Sequence, residues 1–532
     1  MDLIVEDAAV ITMAGGAGTA EALLVRDGRI AAVGPAGAVR AAAAPGAAVV
    51  RLDGATVVPG LIDAHCHVAD VGYLATAADC SQPSAPDIPA IQARLRDVAD
   101  RTPEGSWVTG AGYVEYKLRE GRHPTRAELD QAVPGRPAVL YHTSLHAAVL
   151  NTAALAEAGF ADGQPDPPDG AFGRDAQGRL DGVVFERPMF ALFERNLRED
   201  ITRMGAAARA GLVAAASQRL AAFGLTAACD ADMRSDTYAA YAEADAAGLL
   251  GMRIRGLVVH DHADRVPAGR PSDRLATGAV KIWADGGMSS RTAAIFGTYP
   301  VPPYGSGILY FSPAELTEMV RDFDARGLQV CIHAQGDRAI EIVLDAYAAV
   351  LAGGAGNPLR HRIEHAGAMY APLADRAAAL GIVIVSQPGF MSTLGDGFAE
   401  AFGDRSDDLY AFASWQRAGL TVAGSSDAPV ITADPRLGLR DAILRRTGAG
   451  RVLGPGERLP ARDALALYTT QAAFASHRER ETGSLEAGKL ADFVVLEENP
   501  LRAEPERIAD IGVLATVLGG TPVYQATKMW PD

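Results

Sequence analysis

The sequence is poor in cysteine, with four in 532 residues. Cys66, Cys80, Cys229 and Cys331 are too few for a disulfide scaffold, and none forms a Cys-x-x-Cys pair. That excludes zinc-ribbon and thioredoxin-type signatures and makes a reducing cytoplasm the simplest setting. Basic charge is also in deficit. Lys and Arg total 49 against 65 Asp and Glu, a formal net charge of −16. An acidic chain is a poor polyanion binder, so nucleic acid is not expected as a main partner. No run of 18 apolar residues is free of charges or breakers, so no membrane-spanning helix is expected. Met1–Met13 carries Asp2, Glu6 and Asp7 and no basic stretch, unlike a secretory signal. No Gly-x-Ser-x-Gly elbow occurs, which disfavours a serine hydrolase. No repeat of fixed period is present.

What the chain does have is apolar content, 48% of its residues. That is enough to bury a large core and excludes a disordered chain. Both ends read as β-rich. Asp2–Thr12 alternates apolar and polar residues, a Gly-rich turn covers Gly15–Gly18, and Asp27-Gly28 marks a hairpin between Ala22–Arg26 and Arg29–Val33. Asp492–Leu496, Val513–Leu518 and Thr521–Gln525 form a matching set at the other end. Between them, strand-like runs alternate with Ala-rich helical stretches, the pattern of a parallel sheet with crossovers. The expected fold is α/β. A (β/α)8 barrel occupies 59–478 with an insertion at about 81–215, and residues 1–58 and 479–532 together build a small β-sandwich. Pro, Gly and Asp cluster at Gln164–Gly173, which reads as an exposed loop of the insertion.

The segment Pro59-Gly60-Leu61-Ile62-Asp63-Ala64-His65-Cys66-His67 runs an apolar strand into two histidines at i and i+2. On a strand those two side chains share a face. Alone the pattern is weak, because paired histidines on a strand face are common in structural roles. Its company strengthens it. His333 ends Leu328–His333, His365 ends Arg362–His365, Asp427 follows Leu420–Gly424, and Lys281 lies inside Ala279–Trp283. Each sits at or near a strand end, where barrel active sites are built. Four imidazoles and a carboxylate converging there suit a first-row transition metal, with zinc the first choice. Lys281 has a plain alternative as a strand-end lysine with its head in solvent. Asp427 has one as a helix N-cap before Ala428-Pro429.

The segments VVPGLIDAHCH (57–67), VKIWADGGMSSRTA (280–293), IHAQGDRA (332–339), HRIEHAG (361–367), GSSDAPV (424–430) and GSLEAGKLADFVVL (483–496) resemble, in order, those of the amidohydrolase superfamily. The likeness is to its amidohydrolase-3 branch, which includes N-substituted formamide deformylases. The resemblance implies that His65 and His67 hold one metal with Asp427, and that His333 and His365 hold a second. Lys281 matches a lysine that in many relatives takes up CO2 as a metal-bridging carbamate; either that happens here or one metal is absent. The implied cofactor is one or two Zn2+ ions, or other divalent transition metals. The implied reaction is hydrolysis of a C–N bond in an amide, N-substituted formamide or carbamate by metal-activated water, with Asp427 as the catalytic proton carrier. A deaminase, an ester or lactone hydrolase, and a non-catalytic scaffold of the same fold are the alternatives. A small-molecule substrate and a homodimer are the expected partners.

His146, Asp285, Arg291 and Trp283 are candidate substrate contacts; Asp285 and Arg291 have the alternative of pairing with each other. Tyr113, Phe172, Phe296, Tyr304 and Phe390 are further aromatic candidates for the pocket, with core packing as the plain reading. Glu364, on the strand face opposite His365, reads as a support. The second His-x-His, His260-Asp261-His262, lacks the Pro-Gly-apolar lead. GSLEAGKL approaches a phosphate loop, but Leu490 stands where Ser or Thr would bind magnesium, so it reads as a turn.

Overall fold

The computed structural model describes residues 2–15, 19–299, 305–353 and 356–530. Part of the expected Gly15–Gly18 turn, and Tyr304, lie outside the described residues. Eight strands form one parallel sheet in chain order: β1 Leu61–Cys66, β2 Leu225–Met233, β3 Arg253–Val259, β4 Leu275–Trp283, β5 Gln329–Ala334, β6 Arg362–His365, β7 Val383–Ser386 and β8 Val422–Gly424. All six residues of β1, and all six of β5, are buried. Strands covered on both faces need apolar side chains on both, which is why they read as continuous runs. The circle closes at the C-terminal mouth. There the Asp427 N–H donates to the His65 carbonyl and the His67 N–H to the Ala428 carbonyl, both at 2.8 Å. The sheet is thus the (β/α)8 barrel that the alternation predicts.

Helices return the chain between strands. Pro313–Ala325 starts with a capping box in which Ser312 and Glu315 satisfy each other's backbone N–H groups. It packs beside Asp337–Leu351, whose Ile340, Val343, Leu344 and Tyr347 are buried. The spacing of those four residues places them on one face.

The two ends of the chain pair directly. Thr56–Pro59 lies antiparallel to Phe493–Leu496, with Phe493 opposite Pro59 and Val495 opposite Val57. They belong to a six-stranded sheet; a four-stranded sheet of Leu3–Glu6, Ala22–Arg26, Arg29–Gly34 and Ala48–Arg51 accompanies it. Val5, Leu23, Val57, Phe493 and Val517 share one core between the sheets. The alternating segment Asp2–Thr12 forms two short strands. Asp7 adopts φ +58, and this left-handed turn sends Leu3–Glu6 and Ala9–Ile11 into different sheets.

Between β1 and β2 the chain builds a third body, a six-stranded mixed sheet running from Ala78 to Glu186. Part of the loop expected over Gln164–Gly173 is a strand, Gly170–Arg174, paired antiparallel with Leu180–Glu186. The helix Ala206–Ala221, which crosses the expected boundary at 215, packs on Val68–Leu74 and leads into β2. Among the described residues no helix is long and apolar enough to cross a membrane. All four cysteines are buried free thiols.

Candidate active site

The six residues singled out as ligands meet in one buried cavity at the C-terminal mouth of the barrel. His65 and His67 leave the end of β1 with ring centroids 5.5 Å apart. The strand period puts both toward the axis, and Cys66 between them turns away, its Sγ 3.7 Å from the Ala428 carbonyl. Asp427 follows β8 at φ +60. Its Oδ1 lies 3.3 Å from His65 Nε2 and 3.1 Å from His67 Nε2, and its Oδ2 3.9 Å from His365 Nδ1. The His365 ring is 4.8 Å from that of His65 and 4.5 Å from that of His333. Lys281 reaches in from β4, with Nζ 3.4 Å from His65 Nε2 and 4.9 Å from the Trp283 ring centre. Lys281 is fully buried, so the solvent-facing alternative does not hold. The N-cap alternative for Asp427 does not hold either; the next helix starts at Pro435, capped by Asp434.

Around these residues stands a shell that fixes their rings. Glu364 accepts a hydrogen bond from His65 Nδ1 and is itself held by Arg362, whose Nη2 also donates to the Ala64 carbonyl at 2.8 Å. Burial alone would raise the Glu364 carboxyl, but Arg362 and His65 reverse this and hold it at about 2. His365 Nδ1 lies 3.0 Å from Gln387 Oε1. Hydrogen bonds of this kind choose the tautomer and leave the other nitrogen free to act as a ligand. His333 Nε2 lies 3.1 Å from the Gly286 carbonyl, which similarly leaves Nδ1.

The donor set fits a divalent cation. Burial pushes His333 well below its ordinary range and His365 down to about 3, so both rings are neutral and carry lone pairs. Despite burial, the neighbouring His365, His65 and His67 keep Asp427 ionised. His65, His365 and Asp427 each place a ligand atom within 4.8 Å of the others'. Nitrogen and carboxylate donors at this spacing suit zinc and its first-row neighbours. Lys281 is pushed down by burial, toward a neutral amine.

The tentative substrate contacts divide. Trp283 and His146 line the cavity. Asp285 does not. It is fully buried and accepts backbone N–H groups of Ala294, Gln335 and Gly336 at 2.8–3.0 Å, so its carboxylate braces the loop beyond β4. Arg291 points away to Glu400 at 3.1 Å, and the two do not pair with each other. Tyr113 and Phe390 are core residues, Phe172 packs within the inserted sheet's core, and Phe296 is exposed. The second His-x-His is split: His262 is buried against Ser235, while His260 faces a neighbouring chamber of about 270 Å³. GSLEAGKL is a turn, with Lys489 Nζ donating to Ser484.

Some site residues escaped the sequence reading. Asp70 and Asp232 form a group with His67, with Asp70 Oδ2 3.6 Å from His67 Nδ1. Asp232 is the second-to-last residue of β2, so the strand-end rule applied there would have found it. Asp70 lies three residues past His67 on the next helix, a register no strand pattern signals. Phe190 lines the cavity from the helix Arg187–Arg203, which follows the inserted sheet.

Comparison with known proteins agrees with this geometry. A profile described as "Amidohydrolase family" matches residues 48–524. An N-substituted formamide deformylase of Arthrobacter pascens is 33% identical over 540 residues, covering 99% of each chain. A putative amidohydrolase of Bacillus subtilis, YtcJ, is 29% identical and covers 95% of this chain and 96% of its own. Among solved structures, an uncharacterized metal-dependent hydrolase from Pyrococcus horikoshii superposes with a TM-score of 0.77 at 23% identity, over 95% of this chain and 99% of that one. With its barrel, its strand-end histidines and a profile match along nearly its whole length, the chain belongs to the amidohydrolase family.

Proposed function

We propose that this protein is a metal-dependent hydrolase that cleaves a C–N bond in an amide, an N-substituted formamide or a carbamate. The observation that carries the reading is the convergence of His65, His67, Lys281, His333, His365 and Asp427 from five strand ends into one buried cavity. The formamide class draws on the 33% identity to a deformylase along the full chain. His65, His67 and Asp427 would hold one cation, zinc or another divalent transition metal, and His333 and His365 would hold a second. A cation bound there polarises a carbonyl and lowers the pKa of water.

The protein's own residues do the rest. Asp427 takes up the proton released by attacking water and returns it to the leaving nitrogen, a role worth about 10²–10⁴-fold in rate. Lys281, a buried amine, would condense with CO2 to a carbamate and a proton, giving an anionic side chain suited to holding a cation. Trp283 and Phe190 wall the cavity and exclude water from it. Incubating metal-replete enzyme with N-alkylformamides, acyl amides and carbamates, and in parallel with esters, lactones and ring amidines, tests the reading. Release of formate or carboxylate with an amine supports it. Release of ammonia from a ring amidine, or turnover of esters and lactones alone, would overturn it.

A further inference from the structure

Part of the cavity wall is supplied by the inserted sheet rather than the barrel. His146 stands there, with its ring 5.4 Å from that of His333 and 5.2 Å from that of Phe190. Its Nδ1 lies 2.8 Å from Glu186 Oε2. Glu186 is completely buried and also accepts hydrogen bonds from the hydroxyls of Thr292 and Tyr310, both in the segment that follows β4. A carboxylate has no hydrogen to give, so Nδ1 carries the one between the two groups. Gly287 packs against the other side of the ring. A Cβ there would lie 3.0 Å from His146 Cδ2. Glu186 also sits at φ +59, in the left-handed region that favours glycine. A glutamate held there, with its side chain fully used, points to a function for that side chain.

With Nδ1 committed, the one ring nitrogen left is Nε2, and no described protein group partners it. We propose that Glu186 is a positioning residue that locks His146 with Nε2 toward the reaction space, and that this nitrogen accepts the substrate's amide N–H. The proposal rests on the hydrolase reading and narrows it to secondary amides. The chemistry supports the narrowing. Accepting the N–H fixes the amide plane, and so fixes the direction of the nitrogen lone pair that must take its proton from Asp427. A site built around a hydrogen-bonded N–H disfavours an analogue that lacks it, because the buried acceptor is left unpaired.

The test uses metal-replete full-length enzyme and three probes: N-butylformamide, N-butyl-N-methylformamide and butyl formate. The readout is the ratio of kcat/KM for the secondary amide to that for each of the others. Both His146→Ala and Glu186→Met are expected to lower these ratios by about tenfold or more. Glu186→Gln, which keeps an acceptor oxygen for Nδ1–H, is expected to retain part of them. His146→Ala carries the test alone if Glu186→Met does not fold. Ratios unchanged in His146→Ala would overturn the inference while leaving the hydrolase reading intact. Turnover of none of the three probes by the wild type would overturn the inference and remove the formamide class from the hydrolase reading.

Discussion

Replacing Glu364 with glutamine should cost both stability and metal affinity, and the structure sets the size of each effect. The carboxylate is fully buried between the Arg362 guanidinium and His65 Nδ1. Its carboxyl is held at about 2, against 4.5 for a free glutamate, which corresponds to about 3 kcal/mol of stability at neutral pH. A depressed carboxyl contributes fully above 4.5, and its contribution disappears as pH falls toward 2. Glu364→Gln also strands the buried Arg362 charge, and breaking a buried pair from one side costs about 3–5 kcal/mol. Losing the anchor of the His65 ring should weaken metal binding by about 10–100-fold. Urea unfolding of chelator-treated protein, followed by tryptophan fluorescence at several pH values, measures the first effect. Competition with a fluorescent zinc chelator measures the second. The wild-type advantage should be full at pH 6 and shrink once pH drops below 4.5. An advantage under about 1 kcal/mol at pH 6, or one that does not change down to pH 3, would refute the buried-pair account.

Lys281 should carry one CO2 in the active enzyme. Native mass spectrometry of metal-replete protein is expected to show that added mass, which acid removes and Lys281→Ala lacks; an active enzyme without it would leave Lys281 a free amine. Gly60→Ala should destabilise the barrel by about 1–3 kcal/mol through overpacking. A Cβ there would lie 2.2 Å from Thr226 Oγ1, behind the strand that presents His65 and His67. Gly37→Ala is the control. Gly37 is in the helix Ala36–Ala42 with nothing within 4 Å of an added Cβ, so its melting temperature should hold or rise.

Much of the barrel was legible because fully covered parallel strands need apolar side chains on both faces. Arg253–Val259 and Arg362–His365 were bounded to the residue; the first turns apolar over Gly256–Val259 and stops before His260, and the second ends at His365. The ligands were legible for the same reason: a polar residue ending such a run has nowhere to point but the mouth. The insertion was harder. Its strands Gly170–Arg174 and Ala78–Asp79 are only five and two residues long, too short for local periodicity to mark them. Glu186 was hidden there, and its role depends on a loop more than a hundred residues away. Asp285 looked like a substrate contact because it follows Lys281. Only the fold shows three backbone N–H groups converging on it.

The central claim is that hydrolysis depends on a cation held by the histidines and Asp427 of the mouth. The most direct test strips the protein with a strong chelator, verifies the loss by elemental analysis, and assays hydrolysis before and after adding back zinc, cobalt or manganese. The account predicts that activity disappears with the metal and returns as about one or two equivalents bind. Full turnover by protein verified to be metal-free would contradict it.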